Sequence, residues 1–197
     1  MVSDYRYRGV PLSNGNPALQ GSLDVETEAG LHARLWASAI NGGGNGRIEL
    51  DASAGYALEL GKDVSFDFGG ILYAYPNHRS ADALELTACL EATHGPWTAT
   101  IGASLAPPQG GTTDDSGRKR RNAYAAAILS HTLEALPLTL RASAGFEDGA
   151  WDLRSQGGKI DWTVGADLEF GAARFSVEGT GSNASHQTMV GSLFLTF

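Results

Sequence analysis

The sequence predicts an all-β fold: a twelve-stranded antiparallel transmembrane β-barrel that uses residues 1–197 as a single domain. Three observations lead to this prediction. Apolar and polar residues alternate through segments of about 10 to 13 residues, longer than the five or six usual in soluble sheets. The apolar faces of these segments carry no charge across their middles, where an Arg or Lys in lipid would cost about 2–4 kcal/mol. Short turns also alternate with longer polar loops along the chain.

Length and composition set the limits of this prediction. The net charge of −8 argues against non-specific nucleic-acid binding, which needs a basic surface. Cys89 is the single cysteine, so an intrachain disulfide is impossible, and we expect it to be a packing residue without a role. No apolar run approaches the roughly 20 residues of a membrane helix. Polar, strand-like sequence follows Met1 directly, so an exported protein would have lost its leader.

The strands are expected in order along the chain, separated by recurring Gly, Pro and Asn signals. Their predicted ranges are 2–9, 17–28, 31–40, 47–59, 63–75, 82–93, 97–106, 122–133, 138–147, 159–170, 173–181 and 187–197.

The lengths of the connections follow the order of these strands. Even-numbered strands end in tight turns such as Gly61-Lys62, whereas odd-numbered strands end in longer polar loops such as 41–46, 107–121 and 182–186. A soluble sandwich has no reason for this sorting. An outer-membrane barrel does, because its periplasmic turns are short and its extracellular loops are longer. We therefore expect both termini in the periplasm.

The two faces of each strand differ in character. In segment 159–170, Ile160, Val164 and Leu168 share one face, while Asp161 and Asp167 share the other. In an outer-membrane barrel the apolar face meets lipid and the polar face lines the lumen. A soluble β-sandwich binding module, in which the apolar face is the core, is the alternative.

Aromatic residues fit the membrane interpretation at both strand ends and at the start of the chain. Aromatics at the ends of apolar strips suit a membrane interface, and here these are Phe146, Phe170, Phe197, Trp97 and Trp162. In the opening VSDYRYRGV, the same alternation predicts Tyr5 and Tyr7 toward lipid and the charged residues between them toward the lumen.

The opening residues also carry a family resemblance. Val2 to Val10, Pro17 to Asp24 and Trp36-Ala37-Ser38 resemble the start of the TorF family of proposed porins, a conserved Gram-negative family without an assigned function. The resemblance covers about the first 40 residues in detail, and the strand plan fits over the whole length. It implies a channel, with neither an assigned substrate nor catalytic residues. The terminal Phe197, preceded by alternating apolar residues, resembles the signal read by the barrel insertion machinery.

The polar face predicts a narrow, charged lumen with more acids than bases. Twelve strands lie between filled eight-stranded barrels and wide porins, so only ions and small solutes should pass, with a mild preference for cations. Arg6 and Arg8 are expected to pair with Asp24 and Glu26. The candidate lumen and constriction residues are Asp4, Arg6, Arg8, Asp24, Glu26, Arg34, Arg47, Glu49, Asp51, Arg141, Asp161, Asp167, Arg174 and Glu178.

Two interpretations of these charges stay open. Facing acid and base rows could select solutes by charge, or they could form a salt-bridge network that stabilises the wall. The sequence therefore predicts an outer-membrane channel for passive passage of small solutes or ions. A plugged barrel with a ligand-binding or structural envelope role is the alternative.

Other chemistries find little support in the sequence. Ser130-His131 and Ser185-His186 are sequence neighbours, so on a strand each pair points to opposite faces and no enzyme is expected. Neither metal-ligand spacing nor a phosphate loop occurs, so no cofactor or metal is expected. The basic run Arg118 to Arg121 is either a solvated loop or a contact for phosphates of lipopolysaccharide. The expected partners are the lipid bilayer, lipopolysaccharide and small solutes, without nucleic acid.

Overall fold

A computed structural model describes residues 1–40, 48–114, 116–133, 135–154 and 157–197. It is built almost entirely from strands, with two short 3₁₀ turns at Arg79–Ala81 and Gly110–Thr112. None of the described residues belongs to a helix long and apolar enough to cross a bilayer. The strands are β1 (Arg6–Tyr7), β2 (Val10–Pro11), β3 (Gln20–Glu26), β4 (Leu31–Ala39), β5 (Ile48–Glu59), β6 (Val64–Ala74), β7 (Ala83–His94), β8 (Trp97–Ala106), β9 (Asn122–Leu133), β10 (Leu138–Gly149), β11 (Lys159–Phe170), β12 (Ala173–Ser182) and β13 (Ser185–Leu195).

The main sheet contains the eleven strands β3 to β13, each antiparallel to its neighbours in sequence. Residues 1–3 join the two edges of this sheet, because Val2 bridges both Ala18, just before β3, and Ser192 in β13. The amide of Val2 donates to the Ala18 carbonyl at 2.9 Å, and that of Ser3 donates to the Gly191 carbonyl at 2.8 Å. We call this junction the seam. The predicted antiparallel barrel architecture is thus confirmed, although the sheet has eleven strands rather than twelve.

The predicted first strand, residues 2–9, is wrong after residue 3. The chain turns inward, and β1 and β2 form a separate two-stranded hairpin through a turn at Arg8 and Gly9. Both turn residues have positive φ, 49° and 76°, as the tight two-residue turns of hairpins require. Residues 4–16 therefore form a compact unit, here called the inner hairpin. Alternation alone could not reveal it, because a hairpin and a wall strand share the same period.

The connections sort by length as predicted, with one exception. The turn end of the barrel carries tight connections such as Gly95-Pro96 and Gly171-Ala172, and the loop end carries the segments 75–82, 107–121 and 150–158. The predicted loop 182–186 is wrong, since only Asn183 and Ala184 separate β12 from β13. Asn183 extends the wall instead: its amide donates to the Ile160 carbonyl, and its side-chain oxygen accepts from the Ile160 amide, both at 2.9 Å. The predicted loop 41–46 lies outside the described residues.

Apolar side chains face outward, and the buried side chains are mostly polar. Ile101, Val164 and Leu23 are each more than half exposed. The largest fully buried side chains include Lys159, Glu49, Glu85, Glu147 and Asn122. A dry centre of packed aliphatic rows, as in a soluble sandwich, would give the opposite pattern, so that alternative is contradicted. The buried apolar cluster lies at the seam, where Val2, Ala18 and Val190 pack together with Tyr5 against them.

Candidate functional site

The inner hairpin is organised around the carboxylate of Asp4. One oxygen of Asp4 accepts from the Ser13 hydroxyl and the Gly15 amide, each at 3.0 Å. The other oxygen pairs with Arg6 Nε at 2.7 Å. The Arg6 guanidinium also donates to the His186 carbonyl of β13 at 2.9 Å, which ties the hairpin to the wall. A Cβ at Gly9 would lie 2.7 Å from the Gly181 carbonyl oxygen, so this turn touches the wall more closely than another residue would allow.

Arg8 projects from the hairpin turn into a buried acidic site on the wall at the loop end. Its Nη1 lies 2.6 Å from Glu147, and its Nη2 lies 2.8 Å from Glu85. The guanidinium stacks 3.9 Å from the centroid of the Tyr124 ring. Glu85 and Glu147 are 0 % exposed, so these charges are shielded from water. We call Arg8, Glu85, Glu147 and Lys159 the Arg8 cluster.

The Arg8 cluster is balanced in charge, and its Glu85 carboxylate accepts several hydrogen bonds. Lys159 Nζ contacts Glu147, so two bases face two acids. The Ser104 hydroxyl donates to Glu85 at 2.7 Å, and the Tyr73 hydroxyl does so at 2.9 Å. Tyr7 of the hairpin adds a third donor to Glu85 at 3.2 Å. Burial raises the pKa of the Tyr7 hydroxyl well above its usual value, which keeps the proton needed for donation.

Glycine makes room for this arrangement at one position on the wall. Gly145 lies on the polar face of β10, where a Cβ would come 2.2 Å from the Tyr124 hydroxyl. The Tyr124 ring therefore lies against the wall, its hydroxyl donates to Asp161 at 3.1 Å, and its face supports Arg8.

A second acidic site lies beside the hairpin on β5. Glu49 accepts a hydrogen bond from the Tyr75 hydroxyl at 2.8 Å. Asp51 follows on the same face, and one oxygen of each carboxylate is buried without a hydrogen-bond partner among the described residues. Burial, and after it the charges of Glu49 and Asp51, raises the pKa of the Tyr5 hydroxyl in the inner hairpin. The ion pairs between described residues do not include either carboxylate.

The turn-end half of the lumen wall carries open ion pairs. Arg141 lies 3.0 Å from Asp167 and 2.6 Å from Glu178, its partners on the next two strands. His32 lies 2.5 Å from Asp67 across the sheet. These side chains remain partly exposed, so the lumen is wetter here than at the Arg8 cluster.

The predicted pairing of Arg6 and Arg8 with Asp24 and Glu26 is wrong. The hairpin turns both arginines toward other strands, and Asp24 instead pairs with Arg34, its direct neighbour in the β3–β4 register. Other predicted residues lie on the polar face: Glu49, Asp51 and Asp161 near the loop end, and Glu26, Arg141, Asp167, Arg174 and Glu178 toward the turn end. Arg47 lies outside the described residues. Whether these side chains form a constriction stays a prediction.

Several residues that surround Arg8 were not among the predicted site residues. Glu147 and Lys159 stood at the ends of predicted strands, and Tyr73 and Tyr124 were not singled out. A usable signal was present, since Glu147 shares the face of Arg141 and Lys159 shares that of Asp161. Their convergence on Arg8 depends on the inward turn, which the alternation does not encode.

The arrangement gives no sign of a catalytic or metal centre in the part of the chain that the structure describes. Ser130 and His131 point to opposite faces, and the His131 ring packs 4.3 Å from that of Trp97 on the outer surface. Among the described residues, no group of three or more His, Cys, Asp or Glu side chains could hold a metal ion. The described polar side chains line the inside of the sheet, with the Arg8 cluster at its loop end.

A family profile matches this chain, and solved structures share its fold. The profile of the Gcw_chp family, a bacterial protein of unknown function, matches residues 1–193. The NanC porin matches with a TM-score of 0.72 and 10% identity, over 91% of this chain and 93% of that one. A chain from work on in-meso crystallization of membrane proteins matches with a TM-score of 0.60 and 12% identity, over 90% and 80% of the two chains. A comparison with curated proteins gave no match.

Proposed function

We propose, from the premise that this chain belongs to the Gcw_chp family of bacterial proteins of unknown function, that it is an outer-membrane channel for small solutes or ions. One observation carries the proposal: a single curved sheet exposes aliphatic side chains outside and encloses charged ones inside. Hydrocarbon outside and water inside is the environment that such a sheet suits. The porin-like fold and the resemblance to the TorF family support the same function.

The inner hairpin limits what this channel can pass. Residues 4–16 occupy the loop end of the lumen, and the Arg8 cluster fixes them to the wall. Passage is therefore restricted to ions and small solutes. Glu49 and Asp51 belong to none of the ion pairs between described residues, and these two acids favour cations over anions.

A plugged barrel is the second candidate, and the inner hairpin is the observation that favours it. Breaking a buried ion pair by removing one partner costs about 3–5 kcal/mol, so the hairpin could stay docked throughout the life of the protein. The barrel would then serve as a ligand-binding or structural element of the envelope.

The orientation and partners follow from the same proposal. The turn end, with Phe197 fully exposed, faces the periplasm and presents the signal for the insertion machinery. The loop end faces outward and carries Arg118 to Arg121, whose side chains are exposed and can contact lipopolysaccharide phosphates.

A hydrogen bond from the Ser116 hydroxyl, and after it one from the Arg118 amide, lowers the pKa of Asp114 in this loop. No catalytic role is proposed.

Planar bilayer recording tests the function. Protein refolded into detergent, with a heat-modifiable gel shift as proof of folding, should give discrete conductance steps and a reversal potential that favours cations in a KCl gradient. Well-folded protein without conductance steps would exclude the channel and leave the plugged barrel.

A further inference from the structure

A cavity of about 230 Å³ lies at the loop end, between the inner hairpin and three connections of the wall. Tyr7 comes from the hairpin, Tyr73 and Tyr75 from the end of β6, and Trp151 and Leu153 from the segment after β10. Leu153 is 62% exposed, so this side of the cavity meets the loop surface. The volume lies below the roughly 300–1,000 Å³ of sites for drug-sized molecules, and therefore suits a smaller ligand.

Aromatic rings form the walls of this cavity at steep angles to one another. The Tyr7 and Tyr73 rings lie 5.8 Å apart at 73°, and the Tyr73 and Trp151 rings lie 6.0 Å apart at 89°. Their polar atoms are already bonded: both hydroxyls reach Glu85, and the Trp151 indole nitrogen donates to the Gly111 carbonyl at 2.8 Å. The ring faces, which carry negative charge density, are what remains for a ligand.

Glu49 brings a carboxylate to the same cavity. Its side chain lines the cavity and is 2% exposed, yet its Oε2 atom has no hydrogen-bond partner among the described residues. The other oxygen, Oε1, accepts a hydrogen bond from the Tyr75 hydroxyl at 2.8 Å. Lys159 also borders the cavity, but its ammonium contacts Glu147 within the balanced Arg8 cluster. Among the described residues, no base forms an ion pair with Glu49 in this cavity or with Asp51 next to it on β5.

We propose that this cavity binds a small organic cation, an ammonium or quaternary ammonium group that sits against the aromatic faces and is paired with Glu49. The charged form of a carboxylate that is buried without a base is stabilised by a positive partner, and aromatic rings arranged as a cage select a cation that is poorly hydrated. The inference deepens the proposed function by naming a solute class, and it rests on that function only for passage, because binding does not require conduction.

Calorimetric titration of the folded full chain in detergent with choline tests the proposal, with 3,3-dimethylbutan-1-ol as the neutral isostere. We expect saturable binding of choline, and binding of the alcohol that is weaker by about tenfold or more. Glu49→Gln, which keeps the shape of the side chain, should weaken choline binding by about tenfold. Asp24→Asn, which removes a carboxylate that does not line the cavity, should leave binding unchanged.

Several outcomes would overturn the proposal. These are no saturable choline binding, equal binding of the alcohol, or unchanged affinity in Glu49→Gln. Should Glu49→Gln fail to fold, Tyr7→Leu serves in its place, since loss of one ring face should also weaken choline binding and an unchanged affinity would contradict the cage. Bilayer recording without choline separates the two hypotheses: conductance without choline binding overturns this inference alone, whereas choline binding without conductance overturns the channel alone.

Discussion

Replacing Arg8 by alanine should release the inner hairpin from the wall. The change removes ion pairs of 2.6 and 2.8 Å to two fully buried carboxylates and the stacking on Tyr124. Loss of one partner from a buried pair costs about 3–5 kcal/mol. That free energy shifts the equilibrium between docked and released hairpin by roughly two to four powers of ten.

Single-channel recording and hydrogen exchange together measure this release. Arg8→Ala should give a larger and noisier conductance than the unchanged protein, and the amides of residues 4–16 should exchange faster. Arg8→Lys should fall between the two, because an ammonium cannot bind two carboxylates with a planar fork. Arg121→Ala is the matched control, since it also removes one positive charge, but from an exposed pair 3.7 Å from Asp148.

A second variant separates two effects of Arg8→Ala: the loss of the contact that holds the hairpin, and the cost of leaving a buried carboxylate without its base. Arg8→Ala combined with Glu85→Gln removes one base and one acid, so the site stays balanced while the contact is lost. The combined variant should fold more readily than Arg8→Ala alone and still show faster exchange in the hairpin. Unchanged conductance and unchanged exchange in well-folded Arg8→Ala would refute the reasoning that Arg8 holds the hairpin.

Two further predictions concern the wall. Ile101→Arg places a charge on the outer face and should lower the free energy of unfolding in lipid vesicles by about 2–4 kcal/mol, while Thr100→Arg, one residue away on the lumen face, should cost much less; equal costs would contradict the assigned faces. Arg141→Gln removes a lumen base from its contacts with Asp167 and Glu178 and should raise cation preference. A reversal potential in a KCl gradient that does not move would show that these side chains lie off the ion path.

Alternation in the sequence was enough to predict the strands of the wall and their two faces, because each strand places apolar residues on one face and polar residues on the other. Ile160, Val164 and Leu168 of β11 are exposed, while Asp161 is buried, as the period of two requires. The register between neighbouring strands could also have been predicted, because tight turns fix it. The pairing of Arg34 with Asp24 follows from the turn between β3 and β4.

The inner hairpin was beyond the reach of the same reasoning, and the reason is local. Arg8 adopts a left-handed conformation with φ of 49°, which is uncommon for a residue with a side chain. The adjacent Gly9 could have indicated a turn, but glycines are so common at the ends of strands that it did not indicate a hairpin. Arg8 then pairs with Glu85 and Glu147, which lie 77 and 139 positions later in the chain. Such long-range contacts form only when the whole sheet has curved.

The seam has a consequence for the order of assembly. Every ladder of the main sheet joins strands adjacent in sequence, so the wall can grow one hairpin at a time. The bonds between the first residues and β13 span 188 to 192 positions, and they can form only after the last strand has arrived. Until that moment β3 and β13 present open edges, and residues 1–3 lack one of the two edges that they join. The sheet therefore closes at the seam only after its last strand has formed, and the inner hairpin follows directly after the residues that close it.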